Sequence, residues 1–308
     1  MPSKPTSTVL FLGSKHLGLR LLQSLFFESP SFKWIVIHPE DADDSRSELK
    51  KFQEFCSDKG IELIFSQSKS VIKSSIQKYH PDIAIVSGWY SILGKETLNQ
   101  VHGGFWGIHH SLLPKYRGSA PLVWSILNGD EILGSTIFKF DEGMDTGPIL
   151  SQVKLMVTNN DNITSIVTEL ETLAIHEFLR LWPRLLSGEF TTKPQNSKNA
   201  SYSAGRVESD SKVDWTLTSE QVHHHIRAQQ YPYPVANCLY DGKRVEILKS
   251  TILTTKHFGI PGQIVVKNSE GVIVACGSNS GLLISKVKIE GITYEGHDIP
   301  STLRIRFT

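Results

Sequence analysis

The feature that most constrains this chain is an alternation of short strand-forming runs with helical stretches along its N-terminal third. Thr8–Gly13 (TVLFLG), residues 32–37 (FKWIVI), Glu62–Phe65 (ELIF) and Ile83–Ser87 (IAIVS) are short and rich in β-branched and aromatic residues, as strands are. Residues 17–27, 45–59 and 71–79 lie between them and read as helices. Strands that are apolar on both faces need cover on both faces, and helices between strands supply it. The pattern predicts an α/β protein that begins with a Rossmann-like parallel sheet. Gly13 and Gly18 follow the first strand, but the full G-x-G-x-x-G of a dinucleotide site is missing. A tight strand-to-helix turn is preferred there over nucleotide binding.

Farther along, residues 153–157 read as a strand and residues 163–186 as a long amphipathic helix that stops at Gly188. Residues 191–199 (TTKPQNSKN) are polar and contain proline, which suggests a linker. The expected organisation is a catalytic domain over residues 1–190, a linker over 191–200, and a β-rich domain over 201–308. In that last part, helix Ser219–Ala228 precedes short glycine-punctuated strands at residues 236–240, 244–249, 262–266, 271–275 and 281–287. Their spacing suggests a small OB-like β-barrel or curled sheet.

Charge and cysteine usage exclude several function classes. Lys plus Arg (32) nearly balances Asp plus Glu (31), without the basic stripe of a strong nucleic-acid binder. The three cysteines, Cys56, Cys238 and Cys276, are far apart and form neither a disulfide framework nor a zinc motif. No run approaches the ~18 apolar residues of a membrane span, and the N-terminus lacks a signal-peptide pattern. A cytoplasmic protein is expected. His223–His225 are consecutive, so they splay around a helix; a solvated face is expected there.

The chemistry concentrates between Gly104 and Gln152 (GFWGIHHSLLPKYRGSAPLVWSILNGDEILGSTIFKFDEGMDTGPILSQ). His109 follows the strand-like FWGI, and ligands of open parallel sheets bind at the carboxyl ends of strands. Histidine as a residue type suits proton transfer near neutral pH. Asp145 sits in DEGMDTG, where Gly143 and Gly147 allow the backbone to fold tightly. An aspartate beside a histidine orients the ring, stabilises its charged form or accepts a proton. Taken singly, His109 reads as a turn cap and Asp145 as an Asx-turn; the two loops together favour a site. His109, His110 and Asp145 are metal-ligating types, but no zinc-hydrolase motif accompanies them, so no metal is expected.

These residues resemble the folate-dependent formyltransferases. The motif of that family, Asn-x-His followed by Ser-Leu-Leu-Pro, Tyr-Arg-Gly and Gly-x-Asp-Thr-Gly, is matched by His109, Ser111–Pro114, Tyr116–Gly118, Pro121, Trp124 and Gly143–Gly147. PDIAIVSGWYSIL, RVESDSKVDW and IRAQQYPYPVA extend the resemblance over nearly the whole chain. It implies formyl transfer from 10-formyltetrahydrofolate, as co-substrate, to a primary amine. His109 would stabilise the oxyanion or shuttle a proton, Asp145 would hold His109 and help deprotonate the amine, and Ser111 lies in the same catalytic loop. The pterin would lie against Ser87, Gly88, Trp89, Tyr90 and Leu112 and the loop carrying Asp141, Gly143, Met144 and Asp145. Arg117, Gly118 and Arg206 are candidates for the substrate side; Arg117 is read first as a brace of its loop and only second as a phosphate contact, and Arg206 equally as a phosphate ligand or a surface salt bridge.

One position departs. Gly107 stands where the family has an asparagine that hydrogen-bonds the formyl oxygen. A protonated His109, a water or His110 could take its place, or transfer is impaired. The last alternative leaves a folate-binding protein or a slow formyltetrahydrofolate hydrolase. As for the amine, the tRNA enzymes of the family carry a basic insertion where this chain has HPEDADDSR at residues 38–46. Acidic residues repel phosphate backbones. The resemblance therefore favours a nucleotide-linked amino sugar as substrate, with methionyl-tRNA as the alternative. The second domain is open to three roles: a homodimer interface, an accessory binding site or a lid.

Overall fold

The computed structural model describes residues 7–41, 44, 46–89, 91–303 and 305–308. Tyr90, one of the expected folate contacts, and Ala42, Asp43 and Ser45 of the acidic segment lie outside the described residues. The chain divides into two compact units. The first holds the residues up to Gly118, Leu133–Leu155 and Thr168–Ser203; the second holds Ser119–Ile132, Met156–Val167 and Ala204–Thr308.

In the first unit the elements run β1 (Thr8–Gly13), α1 (Lys15–Glu28), β2 (Lys33–His38), α2 (Leu49–Lys59), β3 (Glu62–Phe65), α3 (Lys69–Tyr79), β4 (Ile83–Ser87), α4 (Lys95–Leu98) and β5 (Phe105–His109). Then come a two-residue strand β6 (Arg117–Gly118), a helix α5 (Pro121–Leu127) that belongs to the second unit, β7 (Ile132–Lys139), β8 (Ile149–Met156) and the long α6 (Ile163–Ser187). A short β9 (Tyr202–Ser203) pairs in parallel with β6. The sheet order is β3-β2-β1-β4-β5-β7-β8. β3 through β5 are parallel, and β7 returns antiparallel to β5 with Thr136 opposite His109. Strand β7 has no counterpart in the sequence reading, because Gly134 and Ser135 break its apolar pattern.

Alternation along the strands assigns the two faces. Val9, Phe11, Trp34, Val36, Ile83, Ile85 and Trp106 pack on one face with residues of α1, α2 and α6. Leu10, Leu12, Ile35, Ile37, Ala84, Val86 and Phe105 face the other way with residues of α3. Strand order reverses between β1 and β4, and the crevice at such a switch point is where open α/β sheets bind ligands. The join is tight here: the Ser14 N–H donates to the Ser87 carbonyl at 3.0 Å and Ser14 Oγ to that of Gly88 at 2.7 Å. A Cβ on Gly13 would stand 2.8 Å from the Ser87 carbonyl oxygen, and one on Gly18 3.1 Å from it. The two glycines are thus needed for close packing of the turn.

The second unit contains α5, α7 (Ser219–Ala228), β10 (Asn237–Tyr240), β11 (Lys243–Ile252), β12 (Ile264–Asn268), β13 (Gly271–Cys276), β14 (Ser280–Ile289) and β15 (Ile292–Glu295). The antiparallel order is β10-β11-β14-β13-β12, with β15 beside β14. The tail curls the sheet. Leu239 and Thr308 exchange both backbone hydrogen bonds, at 2.8 and 2.9 Å, and the Phe307 N–H donates to Gly262 at 2.8 Å, so residues 307–308 bridge β10 to the approach of β12. The interior is apolar, with Val245, Ile247, Val272, Val274, Leu282 and Ile284 fully or almost fully buried.

Two expectations are corrected. Residues 191–200 are no open linker. Lys193 and Ile149 exchange backbone hydrogen bonds at 2.8 and 2.7 Å, and Gln195 is bonded into the first unit. The polar composition is satisfied by these partners rather than by water. Nor do the three histidines of α7 form a solvated face. His223 and His224 are buried, and His223 bonds Ser250 Oγ through Nδ1 at 2.8 Å and the Asn159 carbonyl through Nε2 at 2.9 Å. Burial pushes all three rings down, His223 to about 4.

This depression has a signed consequence. Native His223 stays neutral down to about pH 4, whereas an unfolded histidine takes up a proton below about pH 6.5. The unfolded state then binds more protons, so stability falls as pH drops through that window, by about 2–3 kcal/mol for this residue. Denaturant melts of the parent and His223→Gln between pH 7 and 4 are expected to give a shallower decline in the variant; parallel curves would refute the assignment.

Candidate functional site

The site is assembled on the face of β5 that carries alternate residues Gly107 and His109. The loop between β7 and β8 folds back over this face: the Phe140 ring lies against Gly107, and Asp145 reaches His109. Asp145 Oδ2 accepts the Gly118 N–H at 2.8 Å and lies 3.5 Å from His109 Nδ1. His109 Nε2 is 2.8 Å from the Tyr116 carbonyl oxygen, which can only accept, so Nε2 carries a proton. Both ring nitrogens therefore face acceptors, and a proton on Nδ1 would face the Asp145 carboxylate. Backbone angles mark the same residues. Tyr116 (φ 56°), Gly118 (φ 104°) and Asp145 (φ 53°) all occupy positive φ, which costs energy at the two non-glycine positions and persists only where neighbours enforce it.

Several partners do the enforcing, and none stands in the expected site. Thr136 Oγ1 donates to the Ser111 carbonyl at 2.6 Å and accepts from the Leu113 N–H at 3.1 Å and from Gln152 Nε2 at 2.9 Å. Gln152 also donates to the Leu113 carbonyl at 2.9 Å. Together they pin the Ser-Leu-Leu turn beneath His109. Gln195 holds both the Asp145 loop and the Arg117 guanidinium. Nothing local in the sequence marks Thr136, Gln152 or Gln195.

Other expected residues take definite places. Ser111 is buried and its hydroxyl donates to the Lys115 carbonyl at 2.6 Å, so it shapes the turn rather than facing substrate. Arg117 is 1% exposed; its side chain bonds Gln195 and the Tyr202 hydroxyl and stacks on the Tyr202 ring. That burial removes it from direct substrate contact. The Asx-turn belongs to Asp141, whose Oδ1 accepts from the Gly143 N–H and Thr146 Oγ1, and Asp145 is left free for Gly118 and His109. Met144 is 44% exposed on this loop, and Leu112 packs beside Gly134. Arg206 belongs to the second unit, where its guanidinium lies over the Trp124 ring at 5.3 Å and donates to the Asp210 carbonyl at 2.7 Å.

At the end of β4, Ser87 Oγ and Trp89 Nε1 are buried without a hydrogen-bond partner among the described residues. Unpaired buried polar groups are costly. Two such atoms beside the β1–β4 switch point suit a polar heterocycle such as a pterin. Among the described residues no group of three or more His, Cys, Asp or Glu is placed to hold a metal ion.

His110 does not stand in for the asparagine. It lies on the opposite side of the strand from His109, and its Nδ1 bonds Ser135 Oγ at 2.7 Å. Burial, with His109 nearby adding to it, pushes it down to about 4 and keeps it neutral.

The acidic segment is also less open than its composition implies. Lys15, at the β1–α1 corner, pairs with Asp41 at 2.8 Å and Asp44 at 2.7 Å, and Arg46 pairs with Asp44. Burial raises both carboxyls, but the hydrogen bonds outweigh it and hold both below the usual range.

At Gly107 the reason for glycine is steric. A Cβ there would stand 2.5 Å from the Val86 carbonyl oxygen and 2.6 Å from Phe140 Cε2. The Phe140 ring, stacked on Phe138 at 4.8 Å, occupies the space a side chain would need. Gly107→Asn is therefore expected to lower the melting temperature by several degrees, about 1–3 kcal/mol of overpacking, without raising formyl transfer. Adding Phe140→Ala should recover only part of that loss, because the Val86 backbone stays. A stable and more active single variant would contradict this packing.

Known proteins share this organisation. A formyl transferase family model matches residues 34–180, and a formyl transferase C-terminal domain model matches residues 207–298. The methionyl-tRNA formyltransferase of Methylacidiphilum infernorum (isolate V4) is 35% identical over 219 residues, covering 70% of this chain and 68% of its own. That of Thermodesulfovibrio yellowstonii is 29% identical over 286 residues, or 90% and 89%. The solved N-formyltransferase from Helicobacter canadensis, in complex with folinic acid and dTDP-3-aminofucose, matches with a TM-score of 0.69 at 18% identity, covering 91% of this chain and 99% of that one. At such identity the likeness speaks for the fold. With both domains matched and a relative 35% identical over most of its length, this chain belongs to the formyl transferase family and is an N-formyltransferase.

Proposed function

We propose that the enzyme transfers the formyl group of 10-formyltetrahydrofolate to the primary amine of a nucleotide-linked amino sugar. The observation that carries the transfer chemistry is the Asp145 carboxylate, which is bonded to the Gly118 N–H and set beside His109. 10-Formyltetrahydrofolate supplies an activated formyl carbon. Ser87 Oγ and Trp89 Nε1 are the polar atoms suited to hold its ring. Asp145 binds the incoming ammonium and accepts its proton, which frees the nitrogen lone pair for attack. His109 Nε2–H exchanges the Tyr116 carbonyl for the formyl oxygen, whose negative charge grows as the amine adds. The tetrahedral adduct then collapses: the bond from the formyl carbon to N10 breaks, the former amine nitrogen gives up its second proton, N10 takes up one, and tetrahydrofolate leaves beside the formamide product. Gly107 leaves this oxygen without a side-chain amide donor. A missing donor of this kind costs about 10²–10³ in rate, so turnover is expected at the low end of the usual ~1–10³ s⁻¹.

For the amine, support comes from the segment between β2 and α2. Its Arg46 is paired with Asp44, and nearby Lys15 with Asp41 and Asp44, so these cations are already matched by carboxylates. The specific observation behind methionyl-tRNA is sequence identity, 35% over 219 residues with the Methylacidiphilum infernorum tRNA enzyme.

The two readings separate in one experiment. Purified protein with 10-formyltetrahydrofolate is expected to release tetrahydrofolate when dTDP-3-aminofucose or another amino-sugar nucleotide is added. Turnover with charged methionyl-tRNA alone would reverse the order of the readings, and equal donor consumption with no amine present would mark a hydrolase. His109→Asn is expected to lower kcat by about 10²–10⁴ at unchanged melting temperature.

A further inference from the structure

Gln195 lies outside every motif of the chain, in the polar stretch that reads as a linker, yet its side-chain amide joins both halves of the site. Nε2 donates to the carbonyl oxygens of Asp145 at 2.8 Å and Gly147 at 2.7 Å. Oε1 accepts from Arg117 Nε at 3.1 Å and Nη2 at 2.8 Å. Both donor hydrogens are thus engaged on the Asp145 loop, and the acceptor is engaged on the turn that offers the Tyr116 carbonyl to His109 and the Gly118 N–H to Asp145. The segment that carries Gln195 is itself anchored. Lys193 bridges to Ile149, Ser201 accepts the Tyr116 N–H through its hydroxyl at 2.9 Å and the Arg117 N–H through its carbonyl at 2.9 Å, and β9 pairs with β6.

We infer that Gln195 is a positioning residue for formyl transfer, fixing the Asp145 carboxylate against Gly118 and His109. The physical need is specific. Asp145 and Tyr116 both hold positive φ, conformations that a free loop would leave for the ordinary regions. An amide that donates to two carbonyls of one loop and accepts from the arginine of the other locks both at once. A displacement of about 1 Å at a reacting group is enough to cost about 10²-fold in rate. Arg117, buried behind the turn, supplies the rigid end of this brace.

The inference rests on the reading of Asp145 and His109 as the reacting pair, and Gln195→Glu separates positioning from stability. Glutamate keeps the shape and pairs with Arg117, so the fold is retained and the melting temperature should stay within about 5 °C. It has no N–H for the Asp145 and Gly147 carbonyls and sets a negative oxygen against them. The expected result is a fall in kcat of about 10-fold or more at nearly unchanged KM for the amine. With it should come a shifted NMR signal and faster hydrogen exchange of the Gly118 amide, the donor to Asp145. If the glutamate variant does not fold, Gln195→Met, similar in length and without the amide, carries the same comparison. A Gly118 amide unmoved in signal and exchange, with kcat unchanged, would overturn the inference. Should the parent transfer formyl to no amine at all, the proposed function fails, and the Gly118 amide alone still decides for or against Gln195.

Discussion

The site depends on one carboxylate oxygen. Asp145 Oδ2 takes the Gly118 N–H and faces His109, and each of these three groups arrives from a different stretch of backbone. A strand end, a tight turn and a loop between two later strands must therefore be held in mutual register to within a fraction of an ångström. The parallel sheet supplies the first level of that register, because β5 is fixed by β4 on one side and β7 on the other. Side-chain braces supply the second. Thr136 and Gln152 hold the Ser-Leu-Leu turn, and Gln195 holds the loop and the arginine turn together. Amide and hydroxyl groups suit this work, since each donates and accepts and so ties carbonyls to N–H groups without placing another charge beside Asp145.

Gly107 and Phe140 are matched to each other by packing. Replacement of a side chain by glycine would ordinarily leave a cavity, and cavities destabilise. Here the aromatic ring of Phe140 fills the volume, stacked on Phe138. Glycine at 107 and the Phe140 ring fit together as one packing arrangement, so an asparagine at 107 is not accommodated by a single substitution. In the proposed mechanism its chemical consequence falls on His109, the donor assigned there to the formyl oxygen.

Much of this was readable from residues alone. The strand-helix alternation pointed to the sheet, since its period depends on which faces are buried. The glycines and the His109 and Asp145 loops pointed to the family. What failed to appear did so for physical reasons. Strand β7 was hidden by Gly134 and Ser135, which lie in the sheet because their neighbours accept them rather than because they favour strands. The α7 histidines look solvated in sequence, since polarity says nothing about a carbonyl or hydroxyl waiting across the interior. The acidic segment looked like a repelling surface until Lys15 was found between two of its carboxylates.

By itself, then, the sequence determined the fold class and the family and nominated His109 and Asp145 as the ionisable pair of the candidate site, because these rest on local pattern and on loops with few alternatives. Only the tertiary structure decided the direction of each side chain: Arg117 inward, Asp145 toward Gly118, His110 to the far face, Gln195 into the site. Those directions depend on partners distant along the chain, Gln195 being far from His109 in sequence though bonded beside it in the fold, and hydrogen bonds at such separation leave no periodic trace in the order of residues.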